Sequence, residues 1–434
     1  MRREIVIIFV FLPLSLIALG QQKKNQEVFT SDIDNFWKAY DSCEKTSDSL
    51  QQLHYIQTLY IDKGTEGLKA FMEVRDYSAA LWVTLIRSYP KFWKSIRPNT
   101  FVVKSKAKEI ETSIQKLKRL YPELKKAKMY FTIGGLNSGG TTMTDMVLIG
   151  SEIATGNATT NVSEFPSKWL EGVFRSQQPG NIVPLNIHEY VHTQQKGEAH
   201  NLLGQAIKEG ACDFITELVM GKPLQNNYIV YGRQHETELK ASFKLDMFSP
   251  AYRNWLYNGT TATTVADLGY FMGYDICKAY YTNSPDKKKG IKEIIELNYS
   301  DTTAVENFLA NSKYYTEPIN KQELIQQFQA KIPYVVRLEP FTNGDISVDA
   351  ATKEIKIVFS APMNKKGYSI SFGERGKDYF PIAGVVGFSD DGTSFTLNLD
   401  LKPGHEYEFI ITDRSFKSVE GYPLKPYEVK FKTK

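Results

Sequence analysis

A change of period near residue 332 constrains the fold of this 434-residue chain more than any other feature. Up to about residue 330, apolar residues recur at helical spacing: Phe36, Trp37 and Tyr40, then the stretches 49–60, 65–75, 79–86 and 105–120. Beyond Ile332-Pro333-Tyr334 they alternate, as in Ile355 and Ile357 against Glu354 and Lys356, or Val429 and Phe431 against Glu428 and Lys430. A period of 3.6 makes amphipathic helices, and a period of two makes strands with one face toward a core. Asn343-Gly344-Asp345, Asp390-Asp391-Gly392 and Lys402-Pro403-Gly404 break the second region at turn-forming points, which predicts a β-sandwich over 333–434. The expected class is α+β: a mainly helical domain over 21–332 with a small sheet, then an all-β sandwich. Strands are expected at 128–133 and 146–153. The Gly-rich run 134–142 between them lacks the Lys-Ser/Thr ending of a phosphate loop and opens no helix, so it reads as a hairpin connection.

The first twenty residues read as a targeting signal. Arg2 and Arg3 precede an apolar run over 5–19, and Ala18-Leu19-Gly20 has the small-x-small pattern of a cleavage site. The run is short for a membrane span, which takes about 20 residues. The mature chain is expected to be exported: periplasmic, cell-surface or secreted. The three cysteines are Cys43, Cys212 and Cys277. None lies near residue 20, so lipid anchoring there is not expected, and an odd number argues against a disulfide framework. Cys212 and Cys277 sit in apolar helical stretches and read as buried small hydrophobes, with Cys212 turned away from Glu209 and Asp213. The net charge is +4, and losing Arg2, Arg3 and Glu4 with the signal makes it 4 − 2 + 1 = +3. That is near neutral for this length and gives no electrostatic case for nucleic acid.

The chemistry concentrates at His188-Glu189-Tyr190-Val191-His192, an HExxH motif inside an apolar stretch that reads as a helix over 182–195. Positions i and i+4 share a helix face, so two imidazoles there can bind one metal ion with bonds of about 2.0–2.1 Å. Glu189, at i+1, points to the side where a water on that metal would sit. Catalytic zinc needs a third protein donor and one open position. Glu209, on the next predicted helix (205–218), is the natural donor.

HExxH followed by a Glu on the next helix resembles the gluzincin arrangement of thermolysin-like peptidases and zinc aminopeptidases. By that resemblance Glu209 ligates Zn²⁺ and Asp213 accepts a hydrogen bond from one zinc-bound histidine. Gluzincins often use a downstream Tyr or His to stabilise the oxyanion, which makes Tyr274 the expected residue; Tyr270 and His235 are the other candidates. The resemblance also implies that 146–154 forms the sheet edge along which an extended peptide adds. His-Glu-Tyr-Val-His-Thr-Gln-Gln, the Glu209-Gly210 helix and Leu268-Gly269-Tyr270-Phe271-Met272-Gly273-Tyr274 are similar to a group of bacterial predicted zinc proteases that includes the gliding-motility lipoprotein B type. Phe359-Ser360-Ala361-Pro362-Met363 and Leu401-Lys402-Pro403-Gly404 resemble a bacterial Ig-like domain of the kind found in surface-layer proteins, which implies cell-surface contact. The expected function is an exported zinc metallopeptidase acting on a peptide or protein substrate. The alternative is a non-catalytic cell-envelope protein for motility or adhesion, with a structural or vestigial zinc site.

Overall fold

Two separate apolar cores organise the chain, one helical and one between sheets. The computed structural model describes residues 27–434 except 178, 251, 260, 261, 263 and 264. The expected signal segment lies outside the described residues. Among the described residues, no helix is long and apolar enough to cross a membrane.

The first core is rich in aromatics. Phe36, Trp37, Tyr60, Trp82 and Trp93 are buried together, with Phe36 edge-on to both Trp37 and Tyr60 at 5.2 Å. One long helix, Pro90–Leu120, supports it. Only its second half was expected. Pro98 sits inside it, yet Phe92, Trp93, Ile96, Thr100 and Val103 carry a buried stripe past the proline. Tertiary burial there outweighs a local helix penalty of about 3 kcal/mol.

A small sheet lies beside this core. Its strands are β1 (Val28–Phe29), β2 (Lys128–Thr132), β3 (Gly140–Thr142) and β4 (Met146–Gly150), in the order β1-β2-β4-β3. The expected hairpin is not present. β2 and β4 pair in parallel, and β3 folds back antiparallel on β4. The edge strand is therefore β3, and the stretch expected at the edge is central, ending in a helical turn at Ser151–Ala154. The connecting loop turns on an internal carboxylate. Glu152, fully buried, accepts from the amides of Gly134 (2.7 Å) and Leu136 (3.3 Å). Those two amides are thus engaged by the chain itself.

The HExxH helix, Ile182–His192, and its neighbour Leu202–Met220 pack side by side, followed by Leu268–Asn283. Two glycines let the last pair approach closely. A Cβ on Gly273 would stand 1.7 Å from the Ala206 carbonyl oxygen, and one on Gly210 1.9 Å from the Tyr274 nitrogen.

The second core lies between two antiparallel sheets. One orders β5 (Val335–Glu339), β6 (Glu354–Phe359), β9 (Ser394–Leu399) and β8 (Ile382–Phe388) as β5-β6-β9-β8. The other orders β7 (Ile370–Phe372), β10 (Glu406–Ile411) and β11 (Tyr427–Lys432) as β11-β10-β7. Ile355, Ile357, Phe395 and Leu397 from the first share a core with Phe409, Ile411, Val429 and Phe431 from the second. The period-two pattern is thus a half-buried sandwich face, as read.

Burial pushes the Glu152 carboxyl up from 4.5 to about 7. A folded-state pKa above the unfolded one means stability is fully present below about pH 4.5 and is lost as pH rises through about 7. The 2.5-unit difference corresponds to roughly 3 kcal/mol. Urea unfolding at pH 5 and pH 8 is expected to show the wild type losing about that much relative to Glu152→Gln; an equal pH response in the two proteins contradicts the assignment.

Candidate metal centre

The HExxH helix places His188 and His192 one turn apart on a face turned toward the Leu202–Met220 helix. Their rings meet edge-on at 4.9 Å, and their Nε2 atoms lie 3.2 Å apart. Glu209 Oε2 is 3.2 Å from His192 Nε2 and 3.4 Å from His188 Nε2. All three side chains are largely buried.

The outer nitrogens are engaged elsewhere. His188 Nδ1 lies 2.8 Å from Asp213 Oδ1, and His192 Nδ1 lies 2.8 Å from Gln195 Oε1. The Gln195 amide is oriented by its own donations to the Lys208 carbonyl (2.7 Å) and the Tyr299 hydroxyl (3.3 Å), so its oxygen faces His192. Both histidines therefore donate through Nδ1–H, which turns both Nε2 lone pairs toward each other and toward a carboxylate. Asp213 is fixed in turn by the Tyr228 hydroxyl at 3.0 Å.

Three acceptors facing one another demand positive charge. Glu209 and Asp213 are 6 % and 3 % exposed, and an unpaired buried carboxylate costs several kcal/mol. Burial alone would lower the pKa of His188, but Asp213 and Glu209 outweigh it and raise it well above the ordinary imidazole range. Burial likewise works against protonation of His192 and is outweighed by Cys212 and Glu209. Burial would raise the Glu209 carboxyl, yet the two histidines hold it well below the usual range. Two imidazolium ions would set N–H donors head-on at 3.2 Å. One divalent cation supplies the same charge without that clash. Tetrahedral zinc with bonds of 2.0–2.1 Å spaces its ligands about 3.3 Å apart, which matches the observed 3.2, 3.2 and 3.4 Å. The residues fit such an ion.

His188, His192 and Cys212 also form a group that could hold a metal ion. Cys212 is buried, as expected, and its sulfur lies 3.3 Å from His192 Nδ1. That nitrogen already faces Gln195, however. Burial pushes the Cys212 thiol up to about 12. Glu209, which faces both Nε2 atoms, is the better third donor.

Glu189 is half-buried at the side of the cluster, and its Oε2 accepts from the Thr142 hydroxyl at 3.1 Å. Thr142 belongs to β3, so the true edge strand, rather than the expected 146–154, borders the site. Tyr274 does not reach it. Its hydroxyl donates to Glu217 Oε1 (2.7 Å) and accepts from Arg233 (3.0 Å), and the residue is fully buried. Glu217 and Tyr274 each lie one turn further along their helices than the cluster residues, which takes the hydroxyl past the site. Two tyrosines that sequence reasoning missed are closer. Tyr228 holds Asp213, and Tyr257 donates to Glu209 Oε1 at 2.6 Å. Tyr270 lies with its ring facing His188 at 6.1 Å. Tyr257 has φ +57°, a conformation that costs a non-glycine residue about 1–3 kcal/mol. No local motif announces it, because it reaches Glu209 across 48 residues of sequence. His235, also considered, stacks on Tyr231 and pairs with Glu238 instead.

The profile of the gliding motility protein GldB family matches residues 21–245, just over half of the 434 residues. The chain belongs to the GldB family. The match includes the whole of the cluster from His188 to Asp213, and the family suggests a cell-envelope location. A bacterial Ig-like domain matches residues 329–433, the sandwich. No curated protein matches. Among solved structures, CopC from Methylosinus trichosporium OB3b aligns at 21 % identity over 23 % of this chain and 94 % of its own, with a TM-score of 0.19. Domains 1–6 of the surface layer protein SbsC align at 14 % identity over 63 % of this chain and 42 % of its own, with a TM-score of 0.18. Overlap this low carries no argument about fold or function. None of these comparisons points to a protease.

An acceptor behind a metal-bound histidine typically contributes 10–100-fold in affinity. Asp213→Asn is expected to weaken zinc binding by about that factor in a chelator competition titration, with the fold unchanged by circular dichroism. Unaltered affinity would remove Asp213 from the centre.

Proposed function

We propose that this GldB-family protein is a zinc-dependent hydrolase of peptide bonds, exported to the cell envelope. The observation that carries the reading is the convergence of His188 Nε2, His192 Nε2 and Glu209 Oε2 within 3.4 Å of one another, with Glu189 alongside. Zinc held by that trio would act as a Lewis acid and lower the pKa of a water to about 7. Glu189 would serve as the base that accepts a proton from the attacking water and returns it to the leaving amine. The Thr142 hydroxyl holds the Glu189 carboxylate at one oxygen and leaves the other free to accept. Edge strand β3 lies beside Glu189 and suits an extended substrate that adds backbone hydrogen bonds. Tyr274, buried on Glu217 and Arg233, has no part in this reading.

The second reading is a non-catalytic envelope protein of gliding motility, with the cluster as a structural centre. Family membership and the Ig-like domain favour it over hydrolysis. The half-buried Glu189 speaks for hydrolysis, since a structural zinc site fills its positions with protein ligands and has no use for a base.

The mature protein, incubated with a pooled peptide library, is expected to cleave in a chelator-sensitive manner. Glu189→Gln is expected to retain zinc and lose about 10²–10⁴-fold in rate. A wild type that holds a full equivalent of zinc and cleaves no peptide decides for the non-catalytic reading.

A further inference from the structure

Residues 246–328 fall between the two family matches, and a relay of contacts through them joins the Ig-like domain to Glu209. Tyr422, on the sandwich, is buried with its ring edge-on to Phe328 at 5.6 Å. Its hydroxyl accepts from Lys331 Nζ (3.1 Å) and donates to Asp246 Oδ1 (3.2 Å). The neighbouring Gly421, at φ +92°, lies so close to Asn254 that a Cβ would meet its side chain at 3.2 Å. The other oxygen of Asp246 accepts from the Trp255 indole N–H at 3.0 Å. The Trp255 backbone is tied on both sides, its N–H to the Tyr252 carbonyl (2.9 Å) and its carbonyl to the Gly269 N–H (2.8 Å). Two residues on, Tyr257 in its left-handed conformation donates to Glu209 Oε1 at 2.6 Å, and Gln205 Nε2 donates to the Tyr257 hydroxyl at 2.7 Å.

We propose that the Ig-like domain braces the third metal donor through Tyr422, Asp246, Trp255 and Tyr257, so that metal affinity in the helical domain depends on how the sandwich is docked. The inference rests on the metal-centre reading above. Tyr257 is a positioning residue. By engaging Oε1 it leaves Oε2 aimed at the two Nε2 atoms, and without its hydroxyl Oε1 keeps only the longer bond from Gln205 Nε2 at 3.4 Å. Strained backbone of this kind persists only where its surroundings fix it. Asp267 ties the segment locally, accepting from the Asn258 amide at 3.3 Å and donating its own to Asn258 Oδ1 at 2.8 Å. Asp246 with Tyr422 holds Trp255, two residues before Tyr257, from outside the site. Displacing the sandwich loosens the segment and weakens the donor.

Zinc affinity of the full mature chain, by competition with a chromophoric chelator, tests this for the wild type, Tyr257→Phe, Tyr422→Phe and the double variant. Tyr257→Phe is expected to weaken binding about tenfold or more. Tyr422→Phe is expected to weaken it several-fold in the same direction, and the double variant no further than Tyr257→Phe, because both changes act along one path. In the metal-free protein, hydrogen exchange over 252–258 is expected to quicken in Tyr422→Phe. A wild type that binds zinc while Tyr422→Phe binds as tightly, or losses that multiply in the double variant, overturns the brace and leaves the metal centre standing. A wild type that takes up no zinc overturns both.

Discussion

Two carboxylates buried against two histidines set the terms for the helical domain. Glu209 and Asp213 are almost wholly out of water, one turn apart on the same helix. Their charge is tolerable only if something positive sits between them and the HExxH helix. The pairing of those two helices, and the glycine-mediated approach of Leu268–Asn283 behind them, holds the acids where His188 and His192 can answer them. The surroundings are built to the same end: Gln195 and Asp213 set the tautomers, and Tyr228 and Tyr257 set the carboxylates.

The geometry and the ancestry pull in different directions. Donor spacing and a half-buried Glu189 carboxylate held beside the cluster by Thr142 are what hydrolysis requires. The family is one of gliding motility, and the appended sandwich is a bacterial Ig-like domain. A fold or family does not by itself fix chemistry, which resides in the site. The two readings share the metal centre and the envelope location and differ only in whether Glu189 moves protons.

What the sequence made legible follows from how local each signal is. Alternation in 354–359 and 427–432 reports the sandwich because strand faces are written at i and i+2. His188, Glu189 and His192 report themselves through helical spacing, and Glu209 and Asp213 through the same spacing on the next helix. Registers between distant elements left no such trace. The parallel pairing of β2 with β4, and the placing of β3 at the edge, depend on chain reversal through a loop held by Glu152. Tyr274 and Tyr257 show the limit most plainly. The first lies in a motif-like helix and points one turn past the cluster; the second comes from an irregular segment with no pattern and reaches Glu209. The approach of Cys212 to His192 left no trace either, because a helical wheel fixes direction on one helix and says nothing of where His192 stands on another.

The central claim is that the third donor is the carboxylate of Glu209 and not the sulfur of Cys212. X-ray absorption at the zinc edge of the metal-loaded protein tests it directly. The account predicts a first shell of nitrogen and oxygen alone at about 2.0–2.2 Å. A sulfur scatterer at about 2.3 Å would place Cys212 on the metal and contradict it.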